Sequence, residues 1–328
     1  MHWWGSRCTQ WDSSGTAQWT AQWDSAAGWC GAARSGTARR PGAARHLAVR
    51  HIAARERPFG HAEPETSVLR TRRPGSVPGA GMWQAFWVRM RDGWEAEAGK
   101  WAEFTRTPGH DSPHSTINLP ALLALLPEPG GRTLDLGCGE GRLGRLLRSR
   151  GHRVAGVDAS PAMVRLAVSH DAAVPAVVAD AAALPFPDET FDLAVAYMSL
   201  HDMDRMPEAV AEAGRVLERG GRLCAAIPHP IHSAGSFQAR DAAAPFVIDG
   251  SYLDQARADW VADPEGLQLT FHSEHRPIEA YSRALESAGL LIEAIREVGA
   301  PDEVVAAEPD KLRWQRIPIF LHIRAVKP

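Results

Sequence analysis

The stretch Thr133–Leu147, TLDLGCGEGRLGRLL, sets four glycines between a short apolar run and a second run with leucines at helical spacing. A glycine inside a regular element costs roughly 0.5–1 kcal/mol relative to alanine. The cluster therefore predicts backbone that turns tightly or lets another group come close. RTLDL reads as a strand, Gly137-Cys138-Gly139-Glu140-Gly141 as the turn, and a helix is predicted from Arg142. The same handover recurs downstream. RVAGVD, AVVAD, FDLAVAY and RLCAAIP are strand-like, while GRLGRLLRSRG, SPAMVRLAVSH and MPEAVAEAGRVLERGG are helical. Strands alternating with helices of this length require right-handed crossovers and a parallel sheet, so the fold class is α/β.

The turn does not spell a dinucleotide fingerprint, which would read G-x-G-x-x-G. Gly139 and Gly144 stand too far apart to be its second and third glycines. Acids accompany the turn instead: Asp135 precedes its first glycine, Asp158 ends RVAGVD and Asp180 ends AVVAD. Carboxylates repel a pyrophosphate and attract a cation. At a strand tip, Asp158 can accept both hydroxyls of a ribose, and Asp180 with the Ala181 backbone can receive an adenine amino group. Capping or solvation explains any one of these acids. Three at consecutive strand ends describe one rim of the sheet, where open α/β folds bind ligands.

LDLGCGEGRL, GVDAS, DAAALPFPDETFDLAVAYMSLHD and EAGRVLERGGRL, in this order, resemble the successive motifs of class I S-adenosylmethionine-dependent methyltransferases. The likeness is to the small-molecule branch that includes the ubiquinone/menaquinone methyltransferases, and it covers about residues 132–227. It implies a Rossmann-like sheet that is mostly parallel and closes on an antiparallel strand pair, for which LLIEAIREV and IPIFLHIRAVK are the candidates. It implies S-adenosyl-L-methionine as cofactor. Asp135, Gly137, Cys138 and Gly139 would face its methionine part, and Asp158 its ribose. Ala159 and Met163 would flank the adenine, Asp180 and Ala181 would read the adenine edge, and Tyr197 would lie near the sulfonium and methyl group.

Methyl transfer asks the protein to align an acceptor and exclude water. A base is needed where the acceptor is a hydroxyl, phenol or N–H. His201 in YMSLHD and His229 in IPHPIHS follow strands at the same sheet edge and are the candidate bases, with Asp202 available to orient either one. His110 and His114, ahead of the first core helix, either close over the site or, as the favoured placement, lie at the surface. Ser115 or Thr116 is expected to cap a helix over Leu119–Leu126. Between about 230 and 276 an insertion rich in aromatics is too long for a plain connection. It is expected to form a cap with the helical segment 82–130, which carries Trp83, Phe86, Trp87, Met90, Trp94 and Trp101 near helical spacing. Phe237, Tyr252, Trp260 and Phe271 either line an acceptor pocket or form the cap's own core. Enclosure of this kind favours a small, largely apolar acceptor, such as a secondary metabolite.

YMSL is not the NPPY-like tetrapeptide of adenine or glutamine amino methylation, and IPHP brings no Pro-Cys nucleophile for cytosine. The net charge of -3 and the acidic core lack the basic stripe that nucleic acid requires. Four cysteines show neither disulfide nor metal spacing, which fits a reducing cytoplasm, and no metal is expected. No run approaches the roughly 20 apolar residues of a membrane span. Homodimer formation is compatible with this composition. Residues 1–81 differ from the rest: QWDS occurs twice, six of the 12 tryptophans precede position 30, and arginines outnumber acids by about six. Such composition predicts a disordered extension, with the working protein starting at Met82 and its core spanning 131–328. Two other functions stay open at this point. One is an enzyme of this fold that keeps the cofactor but catalyses another reaction, such as a cyclisation. The other is an interaction protein working through its basic arm.

Overall fold

In the computed structural model, which describes residues 89–328, the apolar run before the glycine turn is a fully buried strand, β1 (Thr133–Leu136), at the middle of a seven-stranded sheet. Chain order places α1 (Met90–Arg106) and α2 (Leu119–Leu125) ahead of it. After β1 come α3 (Arg142–Ser149), β2 (Val154–Asp158), α4 (Pro161–His170), β3 (Ala176–Val178), β4 (Phe191–Tyr197), α5 (Met206–Val216) and β5 (Leu217–Pro228). The insertion contributes α6 (Pro230–Ala234) and six short strands: β6 (Gly235–Phe237), β7 (Phe246–Ile248), β8 (Ala256–Arg257), β9 (Trp260–Ala262), β10 (Leu269–Phe271) and β11 (Glu274–His275). α7 (Ile278–Ser287), β12 (Leu291–Val298), α8 (Asp302–Ala307) and β13 (Phe320–Val326) complete the chain.

The sheet runs β12-β13-β5-β4-β1-β2-β3. β1 is parallel to β2 (Thr133 opposite Val154) and to β4 (Thr133 opposite Leu193), and β4 is parallel to β5. β13 enters antiparallel between β5 and β12, which is the expected closing pair. This is the Rossmann-like, mostly parallel sheet with an antiparallel last strand that the sequence implies. β4 shows why both faces need cover: Leu193, Val195 and Tyr197 pack with Leu122, Leu143 and Leu147 on one side. Ala194 and Ala196 pack with Met206, Val210, Tyr281 and Leu285 on the other. The six insertion strands form three separate antiparallel pairs, β6–β7, β8–β11 and β9–β10.

Three local expectations are corrected. The helix read through LERGG stops at Val216. Leu217–Gly221 instead joins β5 through a bulge, where Gly220 takes a φ of 77° and donates its amide to the Lys327 carbonyl, while the Lys327 amide donates to the Gly221 carbonyl. Neither Ser115 nor Thr116 caps α2. Their hydroxyls donate back to the Ser112 carbonyl at 3.1 and 2.8 Å, and α2 grows out of a π-helical turn, His114–Asn118. β3 ends at Val178, so Asp180 lies in the turn beyond it. The basic arm 1–81, and Trp83, Phe86 and Trp87, fall outside the described residues. Among the described residues no helix is long and apolar enough to cross a membrane.

Candidate active site

Beyond the carboxyl ends of β1, β2 and β4 lies a cavity of about 290 Å³. Its walls include all ten residues expected to hold the cofactor: Asp135, Gly137, Cys138, Gly139, Asp158, Ala159, Met163, Asp180, Ala181 and Tyr197. The glycine turn folds back on the tip of β2. The Gly137 and Cys138 amides both donate to the Val157 carbonyl at 2.8 and 2.9 Å. At Gly137, φ is +74° and a Cβ would come within 2.5 Å of the Ser199 Cβ. Ser199 itself donates from Oγ to the Leu136 carbonyl at 2.6 Å, tying the loop after β4 to that after β1.

Asp158 accepts from the Gly139 amide at 2.9 Å and from the Ser160 amide at 2.8 Å, so it ties the glycine turn to the loop after β2. Burial pushes its carboxyl above the usual range, and those amides work against that. Asp135 is 2% exposed, and its Oδ2 has no hydrogen-bond partner. Burial raises it to about 7, the Asp158 and Glu140 charges add to this, and the Gly144 amide opposes it. Burial also pushes the Cys138 thiol up, keeping it protonated. Asp180 is different: half-exposed, it accepts from the Ala182 amide at 2.9 Å and lies 3.7 Å from Arg205.

The histidines separate. His201 stands in the cavity wall, yet its Nδ1 is closed off from solvent and has no partner, while Nε2 lies 3.2 Å from Asp202. Burial, with Arg276, drives its imidazole down to about 3, and burial pushes the Asp202 carboxyl up against the pull of Arg276 and Arg257, so the pair is held toward its neutral forms. His229 does not reach the site. Its Nδ1 accepts from the Ile231 amide at 3.1 Å, capping α6, and its Nε2 meets Glu297 at 3.1 Å on β12. A proline-flanked turn that could have pointed inward is spent on this cap. His110 and His114 are not at the surface. His110 lies against Phe104, and His114 Nδ1 meets the Tyr197 phenol at 2.6 Å.

The aromatic side of the cavity comes from α1 and β10. Trp94, Trp101 and Phe271 line it, packed edge to face at 5.5–6.0 Å. Of Phe237, Tyr252, Trp260 and Phe271, the candidates for an acceptor pocket, Phe271 alone belongs to this cavity wall. Trp260 stacks behind it at 4.0 Å, Phe237 packs on Phe246 and Trp314, and Tyr252 packs on His275. α1 is fastened over the ligand-side loops. Glu95 accepts from Ser160 Oγ and from the Ala162 amide, Arg106 reaches Glu140, and the Trp94 indole donates to the His272 carbonyl. Sequence reasoning missed Glu140, which Arg106 and Arg145 neutralise beneath the turn. It also missed Ser199, Arg142 and Met203; the nearest signal is Met198, a non-glycine at φ +54°.

A family described as "Methyltransferase domain" matches residues 134–225. The chain is 36% identical over 93 residues to the malonyl-[acyl-carrier protein] O-methyltransferase of Serratia marcescens, covering 28% of this chain and 36% of that one. It is 35% identical over 134 residues to the 27-O-demethylrifamycin SV methyltransferase of Amycolatopsis mediterranei, covering 38% and 48%. The matches thus span about a third to a half of these curated relatives. The solved structure of an S-adenosylmethionine dependent methyltransferase from Mesorhizobium loti is 30% identical, with a TM-score of 0.55, covering 63% of this chain and 96% of that one.

Proposed function

Because the chain belongs to the S-adenosylmethionine-dependent methyltransferases, we propose that it methylates a small, largely apolar acceptor, of the secondary-metabolite kind, in the cytoplasm. Asp135 carries this proposal. A buried carboxylate with an orphaned oxygen, placed beside a second carboxylate, is costly to ionise unless a cation joins it. The donor offers an ammonium and a sulfonium, and Gly139 keeps the backbone bare at the cavity wall, where a Cβ would meet only the Trp101 indole nitrogen, at 3.5 Å. The residues present therefore fit this group.

When bound, the donor supplies a methyl carbon on positively charged sulfur; the chain's own residues do the holding and aligning. In this proposal Asp135, Gly137, Cys138 and Gly139 take the methionine part and Asp158 the ribose. Ala159 and Met163 flank the adenine, Asp180 and Ala181 its edge, and Tyr197 stands by the methyl. Trp94, Trp101 and Phe271 offer an acceptor an apolar wall and keep water out, so that alignment replaces chance encounter. The two curated relatives are named for oxygen methylation, which supports an oxygen acceptor here. A base role for His201 requires the loop after β4 to open and expose Nδ1.

The test is calorimetric titration of the protein with S-adenosylmethionine. It is followed by incubation with phenols, indoles, alcohols and carboxylic acids and detection of S-adenosylhomocysteine. Saturable binding with turnover on at least one acceptor is expected. No binding of the donor ends the proposal.

A further inference from the structure

Tyr197 closes β4 on the cavity wall, and its phenol oxygen lies 2.6 Å from His114 Nδ1, the rings edge to face at 5.1 Å. We propose that Tyr197 and His114 are the proton-accepting pair of this site, and that the acceptor is accordingly a hydroxyl compound, an alcohol or a phenol. This rests on the methyl-transfer reading above.

Four observations support the pair. The first is the short contact itself, formed between residues 83 positions apart in the chain. The second is the backbone that delivers His114. It opens the π-helical turn in which the Leu119 amide reaches back to the His114 carbonyl. Such one-turn distortions occur often at functional sites, and the extra residue rotates the preceding side chain by about 100° relative to an unbroken helix. The third is charge. Burial, then Arg142, hold the His114 imidazole down to about 4, against the pull of Asp111. It is therefore neutral near pH 7, and with its proton on Nε2 it accepts the phenol proton on Nδ1. Asp111 and Arg142, paired at 2.8 Å, are the charged groups that act on it, with Tyr197 as its hydrogen-bond partner. The fourth is the phenol: burial raises Tyr197, so it stays protonated and passes a proton on while keeping its oxygen lone pairs for an incoming hydroxyl.

The step balances as follows. A lone pair of the acceptor oxygen forms the O–CH₃ bond as the donor's S–CH₃ bond breaks, and that electron pair stays on sulfur. The acceptor's hydroxyl proton moves to Tyr197 Oη while the Tyr197 proton moves to His114 Nδ1. The products are a methyl ether, a neutral sulfide and a His114 imidazolium, which then returns its proton to solvent. A weak base suffices because an oxygen being alkylated becomes strongly acidic. A carboxylate has no proton to give and leaves the pair idle. His201 offers no comparable relay, its Nδ1 being sealed and unpartnered.

The experiment combines ¹⁵N-histidine NMR on the full chain with donor calorimetry and turnover of hydroxyl and carboxylate acceptors, using wild type, Tyr197→Phe and His114→Gln. Neutral His114 with an unprotonated Nδ1 from pH 8 down to about 4.5, and a signal that shifts in Tyr197→Phe, is the expected spectrum. Donor affinity should stay within about threefold in His114→Gln, while kcat on hydroxyl acceptors falls about 10²-fold or more in both variants at little changed KM. A protonated Nδ1 at neutral pH, or a spectrum indifferent to Tyr197→Phe, overturns the pair whatever the enzyme assays give. So does a tenfold loss of donor affinity in His114→Gln, or an equal loss of rate on carboxylates. Wild type that methylates carboxylates alone overturns the acceptor class. Failure of wild type to bind the donor is a separate result, and strikes the methyl-transfer reading itself.

Discussion

The two sides of the cavity are built in opposite ways. The acidic side is made by strand tips and the turns after them, each set by its own neighbours: Asp135 in β1, the glycine turn, Asp158 at the end of β2. The aromatic side is assembled from segments far apart, where Trp94 on α1 meets the His272 carbonyl across 178 residues. Local backbone geometry makes the first side rigid. The second depends on side-chain packing, which tolerates changes of shape more readily than a turn tolerates a new Cβ. Damage on the acidic side should therefore abolish donor binding, and damage on the aromatic side should alter acceptor use.

Gly137→Ala should do most harm. A left-handed alanine costs about 1–2 kcal/mol and the clash with Ser199 about 1–3 kcal/mol more. Chemical denaturation and donor calorimetry should both register it; wild-type values in both would show that the turn is not tight. Next, Asp158→Ala should weaken donor binding by about 1–3 kcal/mol, as it removes a charged acceptor. Unchanged affinity would remove Asp158 from the donor site. Asp135 sharpens the comparison through pH. With its folded value near 7 against 3.8 for the free group, the folded state favours the protonated form. Stability should be highest below about pH 4 on this account and decline as pH rises toward 7, while affinity for a cationic donor rises over the same range. Asp135→Asn should flatten both trends in melting and calorimetry run across that range. On the aromatic side, Phe271→Ala should raise acceptor KM about tenfold, or about 1.4 kcal/mol, and leave donor affinity within threefold; the reverse pattern would erase the distinction between the two sides. Smallest of all, His229→Ala should cost about 1 kcal/mol of stability through the lost α6 cap and leave turnover within twofold.

What was legible follows the same division. The glycine turn, the strand ends and the closing antiparallel pair could be read because period and turn chemistry are local properties. Asp158 was placed by its position at a strand end alone. His229 misled because its sequence position matches a site residue, while its ring is claimed by Ile231 and by Glu297 from a strand 68 residues away. Read locally, His114 favours the surface over the site, because nothing local announces a π turn or a partner on β4. Glu140 looked like a loop acid, and only the fold brings Arg106 and Arg145 beneath it. Phe271 could not be told from Phe237 by composition, since which one faces the cavity depends on how the short insertion strands pair.

Ser199 has its hydroxyl on the Leu136 carbonyl and its Cβ where a side chain at position 137 would stand. Two loops that could have drifted separately are thus joined, and neither can be reshaped without the other. A lineage adapting this chain to a new acceptor has little freedom there. Its room for variation lies in α1 and the 230–276 insertion, which reach the cavity through side chains and do not carry that joint.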